Sequence, residues 1–75
     1  MTRKEKLLGL LEDHAGPVAG FLLERQLEWM GIDLERATES ERRDAVRALA
    51  EGLFFPLVTG KEALAVQQSI SEILR

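Results

Sequence analysis

The stretch from Gly52 to Glu62 constrains the fold more than any other part of this sequence. Leu53, Phe54, Phe55, Leu57 and Val58 crowd around Pro56, which cannot continue a helix and pushes its predecessor away from helical backbone. An apolar corner of this kind has to be covered, so the patterns on either side are expected to pack around it. Thr59 and Glu62 have the spacing of a capping box and predict the start of a last helix. With 75 residues the chain forms one small domain, 1–75. Domains of this size bury a modest share of their surface and commonly lean on disulfides, a metal or a second subunit. The sequence has no Cys and one His. Disulfides and thiolate sites are thereby removed, and only carboxylates remain for a metal. Association with another chain is the support left to it.

Four helical patterns follow in order, at about 2–15, 17–30, 39–54 and 60–74. Thr2 and Glu5 box the first, and Leu7, Leu8, Leu11 and Ala15 recur at helical steps. Gly16-Pro17 predicts a break and restart, with Gly closing one helix and Pro opening the next. In the second pattern Val18, Ala19, Leu22, Leu23, Leu27, Trp29 and Met30 share a broad face, which makes Trp29 a core residue. Gln26 falls inside that face and Phe21 outside it, so Phe21 either packs under the first helix or is exposed for a partner. Residues 32–37 read as a connection, with one turn of helix at most. Thr38 and Glu41 box the third helix, whose stripe is Ala45, Val46, Leu49, Ala50 and Leu53. Its outer face carries Glu39, Arg43, Arg47 and Glu51 at four-residue steps, the pattern of a solvated surface. In the fourth, Ala63, Val66, Ile70, Ile73 and Leu74 form the stripe, flanked by neutral Gln67, Gln68, Ser69 and Ser71. The fold expected is all-α: a compact orthogonal bundle of four helices, or five with the short turn counted.

No residue pattern supplies catalytic chemistry. His14 lies at a helix end, where free carbonyls and the dipole favour it, and no second group has a defined spacing to it. Asp33, Glu35, Glu39 and Glu41 lack the ligand spacing and central Gly of a calcium loop. Ser40, Ser69 and Ser71 have no nucleophile context, and Gly60-Lys61 has no phosphate-loop pattern before it. A net charge of −3 gives no general attraction to phosphate backbones or anionic lipid, and no apolar run has membrane-spanning length. The chain is therefore expected to be cytoplasmic, non-enzymatic and without cofactor or metal.

Gly16-Pro17-Val18-Ala19, followed by Phe21-Leu22-Leu23-Glu24 and Gly31-Ile32-Asp33, resembles small helical segments appended to prokaryotic signalling proteins, namely roadblock-type regulators and Ser/Thr kinases. The resemblance implies a non-catalytic regulatory or docking module and brings no functional residues with it. Acyl carrier proteins share the acidity and size, but their Asp-Ser-Leu attachment motif is missing; Ser40 stands between Glu39 and Glu41. The function expected is protein–protein contact, with self-association as a homodimer. Its candidate interface is Phe21, Phe54, Phe55, Leu57, Gln67, Ile70 and Ser71. The alternative is a nucleic-acid-binding domain that sets Arg42, Arg43 and Arg47 on phosphates.

Overall fold

The computed structural model describes all residues, 1–75, and every regular element in it is helical. Helical backbone falls into three continuous runs: residues 3–30, residues 39–54, and Lys61–Ile73. This overturns the expected bundle of four or five helices. Gly16-Pro17 bends the first helix without interrupting it. Its limbs, Arg3–Ala15 and Ala19–Met30, are bridged by a tight 3-10 turn at Gly16–Val18. The Gly16 N–H donates to the Glu12 carbonyl, and the Ala19 N–H donates to the Gly16 carbonyl. Pro17 sits in the first turn, where its missing N–H costs nothing. Gly16 has φ 67° and ψ −142°, a backbone state that side chains with a Cβ rarely adopt, and there the helix changes direction. The limbs then run back alongside each other: Leu8 lies against Gly20, and Lys4 pairs with Glu24. The expected fifth element is a simple turn, closed by the Arg36 N–H on the Asp33 carbonyl at 3.1 Å.

Two of the three capping boxes form. At Thr2 and Thr38 the hydroxyl accepts from the backbone three residues on, while Glu5 and Glu41 return the bond. Thr59 does not cap the last helix. Gly60, with φ 58°, turns the chain immediately before Lys61 and takes the cap position without a side-chain bond. The Thr38 N–H, and after it the Thr38 hydroxyl, hold the Glu41 carboxyl below the usual glutamate range. The unfolded chain keeps the ordinary value. The contribution is therefore complete above that ordinary pKa and is lost as pH falls through the lowered one. Thr38→Ala is expected to cost about 1 kcal/mol and to reduce this acid limb in part, because the backbone N–H at position 38 remains, read by urea titration at neutral and acidic pH. Equal acid sensitivity in both proteins would remove the Thr38 hydroxyl from the explanation.

The second helix is not uniform. Glu39–Leu49 is α-helical, and Ala50–Phe54 widens into a π turn in which the Phe55 N–H reaches back to the Ala50 carbonyl at 2.9 Å. Phe55 caps the turn, and Pro56 after it bars any further helix. The π turn brings Leu53 and Phe54 inward together, where they join Leu7, Leu11, Leu23, Leu49, Ile70 and Leu74 in one continuous core. At Gly52 the backbone lies against the Gln26 amide; a Cβ there would stand 2.7 Å from Gln26 Nε2. Gln26 is thus accommodated inside an apolar face by a residue without a side chain. The connection at 31–38 is fastened from both ends. Leu34 is buried, and the Glu35 carboxylate accepts the Arg3 N–H at 2.7 Å and the Lys4 N–H at 3.4 Å, supplying acceptors to the start of the first helix. The radius of gyration is 11.2 Å, close to the roughly 11 Å of a well-packed chain of this length.

Candidate protein-interaction face

Ala19, Leu23 and Leu27 are the buried positions of the second limb, with Gln26 and Met30 half-buried beside them. The opposite side of that limb carries the largest apolar groups left outside the core. Trp29 is 84% exposed and Phe21 63% exposed, with Val18 exposed at the start of the stripe. Phe21, Arg25 and Trp29 recur at four-residue steps, so they stand in one row on a helix. Eight residues of helical rise put about 12 Å between Phe21 and Trp29 along the axis. Trp29 as a core residue is thereby corrected. Packing the limb against its own first half selects the narrower stripe through positions 19, 23 and 27, and Trp29 falls to the side of it.

The charges of this face are specific. The Arg25 guanidinium lies over the Phe21 ring, 5.6 Å from its centroid. Glu24 is engaged by Lys4. Arg25 and Glu28 have no ion-pair partner within the chain. Around the end of the limb a groove of about 420 Å³ is lined mainly by charged residues, Lys4, Glu24, Glu28, Asp33 and Glu35, together with Gly31 and the apolar Leu27, Ile32 and Leu34. The chain exposes 5067 Å², about a tenth more than the roughly 4,600 Å² of a monomer of its mass.

The other sequence candidates separate into three groups. Phe54 and Ile70 are core, at 1% and 0% exposure, and are withdrawn from the interface. The π turn aims Phe54 inward, where its ring meets the His14 ring edge-on at 6.1 Å; that contact is what the structure shows of His14. Phe55 packs half-buried on the core and leaves Leu57 as the exposed apolar residue of the corner. Gln67 and Ser71 are exposed on the last helix and line a shallow groove with Val46, Leu64 and Gln68. Leu64 is a further exposed apolar residue there that periodicity did not single out.

Arg42, Arg43 and Arg47 do not present one basic strip. Arg47 is held by Glu51 at 3.1 Å, and Arg42 donates through Nη1 to the Ala37 carbonyl at 2.6 Å. Arg43 borders a groove whose lining also holds Glu39, Ser71 and Arg75. No group of three or more His, Cys, Asp or Glu stands close enough to hold a metal ion, and no helix is long and apolar enough to cross a membrane.

The Phe21–Trp29 row was legible in principle. Its signal is two separate four-residue ladders on one limb, one aliphatic and one aromatic, which a single broad apolar face conceals. No protein-family model, curated protein or solved structure matches the chain.

Proposed function

We propose that this chain is a small non-catalytic protein-interaction module that associates with itself through the row of Val18, Phe21, Arg25 and Trp29. One observation carries the reading: a Trp and a Phe stand exposed in register on a helix whose other side is fully engaged in the core. Aromatic and Arg side chains are the groups that dominate binding energy at protein interfaces. A second copy would take both rings out of water. The disulfide-free, metal-poor composition fits a chain that draws added support from association, and a cytoplasmic setting goes with it. The nucleic-acid alternative has less support, because two of its three arginines are occupied within the chain.

The test is solution mass by light scattering over a hundredfold dilution. The wild type is expected to shift between dimer and monomer in that range, since one helical face is small for an interface. Phe21→Ser with Trp29→Ser is expected to give monomer at every concentration while the far-UV CD spectrum and thermal midpoint stay in place. A wild type that remains monomeric at its highest concentration would overturn self-association.

A further inference from the structure

We infer that the groove between the second and last helices is a binding site for a small phosphate monoester, held as a dianion by Arg42, Arg43, Arg75 and the Ser71 hydroxyl. The site shares no residue with the aromatic row and stands apart from self-association. Three observations lead to it.

The first is how the arginines are distributed. The sequence has seven of them. Arg3, Arg36 and Arg47 each have a carboxylate partner, and Arg25 lies over the Phe21 ring. The other three, Arg42, Arg43 and Arg75, have no ion pair, and all three line one groove of about 400 Å³. Glu39 is the single carboxylate in that lining, and it pairs with none of them. Positive charge is therefore in excess at this place in a chain whose net charge is −3.

The second is that this charge is fixed from two sides. Positions 39, 42, 43 and 46 fall on one side of the second helix. Arg42 donates through Nη1 to the Ala37 carbonyl at 2.6 Å, which anchors the guanidinium with one of its five N–H groups and leaves its charge uncompensated. Its Nε is buried and donates to nothing. Partial removal from water strengthens the pull of such a group on an anion. Across the groove, the Arg75 carbonyl accepts from Arg3 Nη2 at 3.0 Å, which fastens the end of the last helix.

The third is the chemistry of the lining. The planar guanidinium fork matches the oxygens of a phosphate group. Three such groups outnumber the single charge of a carboxylate and suit the near-dianion that a phosphate ester carries at neutral pH. Ser71 is exposed and adds a hydroxyl donor. Val46 is half-buried beside the buried Leu74, and together they give the organic part of an ester an apolar margin. The volume lies within the roughly 300–1,000 Å³ typical of small-molecule sites.

The test is a titration of the isotope-labelled full chain with phenyl phosphate and with inorganic phosphate, followed by NMR amide shifts at constant ionic strength. Phenyl phosphate is expected to shift the amides of residues 39–43 and 71–75 saturably, and to bind about threefold or more tighter than inorganic phosphate as its ring meets Val46. Arg43→Gln with Arg75→Gln, both at exposed positions, is expected to weaken binding about tenfold. Glu39→Gln is expected to tighten it about threefold, because the one like charge is gone. CD melts on the variants check that the fold is unchanged. Shifts that track ionic strength alone, or variants that bind as the wild type does, would overturn the site. Phenyl phosphate that binds no tighter than inorganic phosphate would overturn the ester.

Discussion

Phe54→Ala is expected to cost about 3–5 kcal/mol and to leave a large part of the population unfolded at room temperature. The ring is all but inaccessible to solvent and sits where the π turn, the end of the first limb and the core meet. Alanine removes that ring from a close-packed site and also ends the edge-on contact with His14. The loss has to be set against a total stability of roughly 4–11 kcal/mol for a chain of this length. In urea titrations followed by CD, the midpoint should drop sharply or vanish. A loss below about 1 kcal/mol would mean that the site collapses around the smaller residue and that the corner is not the keystone of the core.

Ile70→Asp should be at least as damaging, for a different reason. Ile70 is fully buried, and no polar or charged residue is buried anywhere in the chain. A carboxylate there is taken out of water among apolar side chains, and desolvating it costs several kcal/mol unless it takes up a proton. The variant is expected to be unfolded or aggregated near neutral pH and to recover partly in mild acid, where the carboxyl is neutral. A folded, soluble monomer at neutral pH would return Ile70 to the surface. The same exchange at Gln67 or Ser71, both exposed on the same helix, should change stability by no more than about 0.5 kcal/mol.

Local signals carried the helical class and most helix boundaries. The boxes at Thr2 and Thr38 form because both partners lie within four residues, so no tertiary contact has to cooperate. What periodicity left open was decided by packing. Gly16-Pro17 has the composition of a helix stop, yet the two limbs close on each other and the turn between them stays hydrogen-bonded. Thr59 has the right spacing for a cap, but Gly60 reverses the backbone first. The candidate face was half visible. Phe21 stood out because it broke the apolar arc, whereas Trp29 was hidden within it. Only the angular width of the buried stripe separates the two assignments, and the neighbouring limb sets that width. The π turn left no local mark except Gly52, whose purpose is seen only against Gln26.

That turn also fixes the phase of everything after it. An i→i−5 step holds one residue more than the α-helical turn it replaces. Deleting a residue between Ala50 and Gly52 would let the turn close as a regular α-helical one, so the loss is absorbed there and later side chains keep their phase. The same deletion within Glu39–Leu49, which has no surplus residue to give up, would turn every later side chain by about 100° around the axis and swing Phe54 off the core. The helix before the turn and the corner after it therefore keep separate angular accounts, reconciled by one surplus residue. In a sequence comparison, a single-residue gap at this turn would be harmless, whereas the same gap one turn earlier would exchange inside for outside.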